Sequence, residues 1–266
     1  MKIGEIFKFI SSLRKTKQKL YTNYYMTLQN SDKDFAAWYT DTSIVFCDEE
    51  ENFVRCYFAS VDLEDLNSLF AKVPKDSIMD YVVKGEQTEF SWVGDGLFKP
   101  YTTLVRHTNP DLYAAHPKTK KDIFMEQFYQ EDFGEFATEK DAEELYKMLY
   151  EIFDCRVSRL PSMEELKEQI QKNWVLLYRE NGEIIAFLMY QMDGKKYYGY
   201  QIYNCGTADI NYNLERRAIK YAMEHYDARS SYSWTETGNL GANKRAGQCD
   251  GCLLYTSPSP RDLSTS

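Results

Sequence analysis

Two adjacent residues, Asn181 and Gly182, constrain this chain most. They separate Trp174-Val175-Leu176-Leu177-Tyr178 from a returning run, Glu183 to Tyr190, and both runs are rich in β-branched and aromatic residues. A tight hairpin turn needs positive φ at its centre, which Asn-Gly adopts at least cost, so the two runs read as antiparallel strands. A second turn at Asp193-Gly194 leads into the aromatic, extended run Lys196 to Asn204, which makes a three-strand meander. The period then changes. Ile210, Leu214, Ala218, Tyr221 and Ala222 recur three or four apart, which predicts a helix from near Asp209 to near Tyr226. A short strand, Ser230 to Thr235, follows, then Glu236-Thr237-Gly238-Asn239 and a second helical piece.

The first hundred residues carry a weaker copy of this pattern. Thr42 to Cys47 and Phe53 to Ala59 read as strands around the charged turn Asp48 to Asn52. Asp62 is placed to cap a helix with the stripe Leu63, Leu66, Leu69 and Phe70, ended by Pro74. Ser77 to Val83 and Tyr101 to Arg106 are again extended, while Phe90 to Gly96 is short and loop-like. Set side by side, Ser43 to Ala59 and Asn173 to Tyr190 are each an apolar strand, a charged turn and an apolar return, ahead of a helix and a further strand. That is a weak internal repeat, which two tandem halves explain, though any small α+β domain can produce it. His107 to Lys121, with its prolines and polar residues, reads as a linker, and His107 and His116 there as polar residues. Beyond it, Thr138 with Asp141 and Ser162 with Glu165 are spaced as helix-start devices.

Composition narrows the class. Hydrophobic usage of 43% and charged usage of 27% are those of an ordinary globular chain, and no apolar run approaches the roughly 20 residues a membrane span needs. A net charge of −9 spread along the chain argues against nucleic acid as a general partner. The basic N-terminus, with Ile3, Ile6, Phe7, Ile10 and Leu13 on one helical face, is expected to pack on the protein rather than on a membrane. Six scattered cysteines, with no second C-x-x-C pair to complete a metal site, suggest reduced thiols in a cytoplasmic protein; no metal is expected.

The order hairpin, strand, helix, strand, Asn-containing turn, helix resembles the acyl-CoA-dependent N-acetyltransferase superfamily called GNAT. Phe136 to Ala142 leading into Leu145, Leu149 and Phe153 is similar to that family's first strand and helix, and Trp234, Glu236, Asn239 and Ala242 to its fifth strand and Asn-x-x-Ala helix start. The expected fold is α+β: tandem GNAT-like halves, each a mixed sheet flanked by helices. The first, at 1–106, is degenerate and lacks a Gly-rich phosphate loop; 107–132 is the linker; the acyltransferase domain spans 133–251. Cys252 to Asp262 resembles a translated transposon-end sequencing adapter, so 252–266 is expected to be non-native and the second half cut short.

The resemblance implies acyl transfer from acetyl-CoA, or another acyl-CoA, to a small-molecule or peptide amine. The family holds the diphosphate at the start of the helix after its fourth strand, where free N–H groups and the helix dipole favour an anion. Here that loop is Asn204-Cys205-Gly206-Thr207-Ala208-Asp209, of which only Gly206 and Ala208 match the family pattern, and Asp209 brings a carboxylate that can equally cap the helix. Ile202, Asn204, Gly206, Thr207, Ala208 and Asn239 are the implied cofactor-binding residues. Backbone amides around Ile202 to Asn204 stand where the family has a β-bulge that meets the reacting carbonyl. Glu236, the one acid beside the implied cleft, and Tyr203 are the catalytic candidates; Ala246 occupies the place of the family's tyrosine acid. A helix cap at Asn239 and a plain surface glutamate at 236 are the competing readings, and with them a GNAT-like binding or scaffolding module without catalysis.

Overall fold

The structure, a computed structural model, describes residues 1–23, 33–50, 53–84, 97–99, 101–114, 120–239 and 249–258. In chain order its elements are α1 (Ile3–Lys15), β1 (Tyr21–Thr22), β2 (Ala36–Tyr39), β3 (Ser43–Glu49), β4 (Val54–Ser60), α2 (Leu63–Phe70), β5 (Ser77–Lys84), β6 (Thr102–Asn109) and α3 (Lys120–Met125). Then come β7 (Glu135–Phe136), α4 (Ala142–Ile152), α5 (Met163–Gln171), β8 (Val175–Glu180), β9 (Glu183–Asp193), β10 (Lys196–Asn204), α6 (Ala208–Tyr226), β11 (Ser230–Glu236) and β12 (Cys249–Pro258). The chain forms two compact units, Met1–Val105 with Gly251–Ser266, and Arg106–Asp250.

The first unit is a mixed sheet in the order β2-β3-β4-β5-β12 with a helix on each face. Alternate residues of β3 point to opposite cores, as the two-residue period of a strand requires. Ile44 and Phe46 pack with Ile6, Ile10 and Leu13 of α1, while Val45 and Cys47 pack with Leu66, Leu69 and Phe70 of α2. The basic N-terminal helix therefore buries its apolar stripe on the protein. Asp62 caps α2 by accepting from the N–H groups of Glu64 (2.9 Å) and Asp65 (3.2 Å). Residues 252–258, the adapter-like stretch, run antiparallel beside β5.

The second unit has the sheet order β7-β8-β9-β10-β11, with β6 on the far side of β11. Asn181 and Gly182 both take positive φ, 51° and 89°, and close the β8–β9 hairpin. Val175, Leu177, Phe187 and Met189 face α4 and α5, whereas Leu176, Ala186, Leu188 and Tyr190 face α6, whose buried side is Ile210, Leu214, Ala218 and Ala222. Burial on both faces is what turns these strands into nearly continuous apolar runs. Both predicted capping boxes form, Thr138 with Asp141 and Ser162 with Glu165.

The stretch 107–132 that reads as a linker is more structured than its composition suggests. β6 runs on to Asn109, and α3 and a 3-10 turn, Glu126–Phe128, follow. The buried Asn213 of α6 accepts from the Gln130 N–H at 2.8 Å and donates to the Phe128 carbonyl at 3.0 Å. Polar sequence hides this order because the hydrogen bonds come from a distant side chain.

Each unit holds the same sub-structure: an antiparallel pair, a crossover helix, and a strand parallel to the second of the pair. It is β3-β4-α2-β5 in the first unit and β9-β10-α6-β11 in the second. The repeat seen in sequence is therefore real in topology but displaced by one hairpin, because the crossover helix, not the charged turn, defines it.

Candidate functional site

β10 and β11 are parallel partners from Lys196/Ser230 to Gly199/Ser233, and no further. Both continue as strands, β10 to Asn204 and β11 to Glu236, so they part at Gly199 and leave the β11-facing edge of β10 without a strand partner among the described residues. At the same place the β9–β10 register shifts between Gly199 and Gln201, which makes Tyr200 the bulged residue. The bulge thus falls at Tyr200, ahead of Ile202 to Asn204 rather than at those residues, to which the resemblance assigns it. A bulge twists its strand and re-aims the residues beyond it, which accounts for pairing ending here. Ligands of open sheets collect at such divergences, outside the carboxyl ends of parallel strands.

Register assigns each side chain a face. Gln201 lies opposite Met189 and Tyr203 opposite Phe187, so both point toward α4 and α5, while Ile202 lies opposite Leu188 and points toward α6. On β11, Tyr232 aligns with Tyr198 and stacks on it at 4.6 Å, which puts Tyr232 on the α4/α5 side. By alternation Trp234 and Glu236 share that side, and Ser233 and Thr235 take the other. Tyr203 and Glu236 are therefore brought to one face and one end of the parted strands. Glu236 is exposed. A hydrogen bond with Cys205, then partial desolvation, raises the Tyr203 hydroxyl above its ordinary range. Tyr200, its hydroxyl 2.5 Å from Gln169 Oε1, is pushed up further, by burial.

The loop between β10 and α6 is organised by Asn204. Its Nδ2 donates to the Thr207 carbonyl and its Oδ1 accepts from the Gly206 N–H, both at 2.7 Å. The Cys205 N–H donates to the Ile185 carbonyl at 3.0 Å. A Cβ at Gly206 would stand 2.6 Å from Ile210 Cδ1, so glycine lets the loop close on the helix without moving the end of the Ile210 side chain. The N-cap, Thr207, makes no side-chain cap bond, and the first turn of α6 keeps N–H groups for an external acceptor. Asp209 is the acidic residue of that turn. Neither arginine of α6 offsets it: Arg217 Nη1 donates to the carbonyls of Asp132 and Phe133 at 3.1 and 3.0 Å, and Arg216 donates to the Tyr212 hydroxyl at 2.8 Å.

Of the implied cofactor-binding residues, Ile202, Asn204, Gly206, Thr207 and Ala208 thus follow one another along β10 and into α6. Asn239, exposed, closes a turn by donating its N–H to the Glu236 carbonyl at 2.9 Å. The helix it would start, with Ala242 and Ala246, lies outside the described residues. Among these residues no group of ligating side chains suits a metal ion, and no helix is long and apolar enough to cross a membrane.

The first unit shows what closes such an opening. β4 and β5 pair only at Val54/Ser77 and Arg55/Ile78 before they part. Beyond that point β1 pairs with Ala59 and Ser60, and the Asn23 carboxamide bonds both the Cys56 carbonyl and the Phe58 N–H. Phe58 and Tyr81 stack across the gap at 6.1 Å. Sequence reading missed this plug, the bulge at Tyr200, and His107, which is buried and 2.9 Å from the Thr235 hydroxyl. None of the three left a clear local signal in the sequence.

No family model matches the sequence, and no curated protein does. Solved structures match its shape, and the class they define is the GCN5-related N-acetyltransferase fold. A GCN5-related N-acetyltransferase from Sphaerobacter thermophilus superposes with a TM-score of 0.55 at 11% identity, over 82% of this chain and 76% of that one. Another from Kribbella flavida gives 0.51 at 10% identity, over 85% and 90%. A tandem GNAT protein from the clavulanic acid biosynthesis pathway gives 0.50 at 9%, over 81% and 78%. The chain therefore has an acetyltransferase-like α+β fold in tandem, as its residue order implies.

Proposed function

We propose that the second unit transfers an acetyl or related acyl group from acyl-CoA to a small-molecule or peptide amine. The observation that carries this reading is the end of β10–β11 pairing at Gly199/Ser233, beside an α6 N-terminus whose N-cap side chain makes no cap bond. A free strand edge binds an extended chain of amides by main-chain hydrogen bonds, and the first unit supplies an internal precedent, since its equivalent edge is satisfied by the Asn23 carboxamide.

In this reading Ile202 and Asn204 offer the edge to the pantetheine arm, and the N–H groups of Thr207 and Ala208 meet the diphosphate. The fit is good along the strand and weaker at the phosphates, where Asp209 opposes the anion and the Gly206 N–H is already taken by Asn204. Bound acyl-CoA supplies an activated thioester. Glu236 accepts the proton the acceptor amine must lose, and Tyr203, protonated at neutral pH as any tyrosine is, donates to the departing sulfur. Amides at the Tyr200 bulge face the carbonyl oxygen as it gains charge.

The weak phosphate end favours a second reading, a GNAT-like module that binds or scaffolds without transferring. Calorimetric titration with acetyl-CoA, followed by thiol release in the presence of amines, separates the two. Binding with thiol release supports the enzyme; no heat at millimolar acetyl-CoA removes it.

A further inference from the structure

His107 Nε2 and Thr235 Oγ1 lie 2.9 Å apart, on neighbouring strands of the second unit. His107 is buried and Thr235 half-buried, so the pair is held by the sheet rather than by a loop. Thr235 stands two positions past Ser233, the last residue of β11 aligned with β10, so its hydroxyl borders the parted stretch. Its side of the sheet is that of α6, opposite Tyr203 and Glu236, which makes it independent of both catalytic candidates. The contact is compatible with either direction; in the tautomer that carries the ring proton on Nδ1, Nε2 accepts the Thr235 hydroxyl proton, and a hydroxyl bonded to an imidazole nitrogen in that way is an activated nucleophile.

We propose that Thr235 and His107 form a nucleophile–base dyad that takes the acyl group covalently before it reaches the acceptor. The inference rests on the acyl-donor reading above, and on this route His107 takes over the proton transfers assigned there to Tyr203 and Glu236, which face the other side of the sheet. Thr235 Oγ bonds the acyl carbon as His107 Nε2 takes the hydroxyl proton. The carbon–sulfur bond then breaks, and the departing thiolate recovers that proton from His107. The acceptor amine attacks the Thr235 ester, the carbon–Oγ bond breaks, and the proton lost by the amine returns to Oγ through His107. Atoms and electrons balance without an oxidant or a metal.

The test labels the full chain with two donors, 4-nitrophenyl acetate, which carries no nucleotide, and acetyl-CoA, and reads acetylation by intact mass and peptide mapping. The wild type gains one acetyl group on Thr235. Thr235→Val loses it, Thr235→Ser keeps it, and His107→Gln slows it by about 100-fold or more, as expected for loss of a general base. Thermal melting of each variant checks that it folds, and Thr235→Ser against Thr235→Val keeps the test decisive if His107→Gln does not. Absence of the label from wild-type Thr235 with either donor, or labelling of His107→Gln at the wild-type rate, overturns the dyad. If acetyl-CoA binds by calorimetry while Thr235 stays unlabelled, the dyad falls and direct transfer stands. If 4-nitrophenyl acetate labels Thr235 while acetyl-CoA neither binds nor labels, the dyad stands and the acyl-CoA reading falls.

Discussion

The Asn23 side chain stands where a strand would beside Phe58: its Oδ1 accepts the Phe58 N–H at 2.7 Å, and its Nδ2 reaches the Cys56 carbonyl at 2.9 Å. In the first unit the gap between parted strands is thus filled by the chain itself, and the helix beyond it is capped by Asp62. Among the described residues, the equivalent edge of the second unit has neither device. Acetyl-CoA should therefore bind at one site per chain, not two, as a calorimetric stoichiometry near one would show.

Removing the plug should loosen the first unit without opening a good site there. Asn23→Ala leaves the Phe58 N–H and the Cys56 carbonyl without partners among buried residues, at a cost of about 1–3 kcal/mol. Hydrogen exchange at the Phe58 amide should speed up accordingly, while acetyl-CoA affinity stays unchanged because Asp62 still closes α2.

How much of this was legible depends on where the information lies. The β8–β9 hairpin, the extent of α6 and the caps at Asp62 and Ser162 could be read because Asn181-Gly182, the apolar spacing and the cap residues act over a few positions of chain. The correspondence between the units was read one hairpin out of place, since charged turns look alike and only topology shows which strand the crossover helix follows. Asn23 and Asn213 left no mark, as a lone asparagine reads as a turn residue unless its distant partners are known. For the site, order along β10 and α6 was readable; the bulge at Tyr200 and the Thr235–His107 contact depend on register and on a third strand.

Asp141 ties the start of α4 to the sheet and makes stability depend on pH. Desolvation pushes its carboxyl up, but hydrogen bonds from the Thr138 N–H and hydroxyl, with the Arg179 guanidinium at 2.7 Å, outweigh this and leave it below the ordinary carboxylate range. A depressed folded value means the contribution is complete above the unfolded pKa, about 3.9, and is lost as pH falls through the folded one. Asp141→Asn should cost about 1 kcal/mol at neutral pH, as other lost helix-start bonds do. It should also flatten the acid limb of a plot of denaturation midpoint against pH.

Among the described glycines, Gly134 combines positive φ with the closest backbone neighbour. Its φ is +72°, and a Cβ would sit 2.7 Å from both the Leu177 carbonyl oxygen and Leu214 Cδ2. The carbonyl belongs to β8 and Leu214 to the fully buried face of α6, so neither can move aside cheaply. Gly134→Ala should destabilise the second unit by about 2–4 kcal/mol, combining strain at positive φ with overpacking, and lower its melting temperature.

Asp209 gives the sharpest test of the phosphate end. In the first turn of α6 a carboxylate complements the helix dipole, so Asp209→Asn should cost the free protein about 0.5 kcal/mol. The same charge opposes a diphosphate brought to the N–H groups of Thr207 and Ala208, and its removal should favour the bound state. If acyl-CoA binds there, Asp209→Asn should tighten it by about threefold to fivefold at low salt, the size of one charge at a helix end. The gain should shrink as salt screens the interaction. Calorimetry at two ionic strengths measures both effects. An unchanged affinity would place the phosphates elsewhere, because a dipole and a carboxylate this close cannot both be indifferent to an anion seated on the same turn.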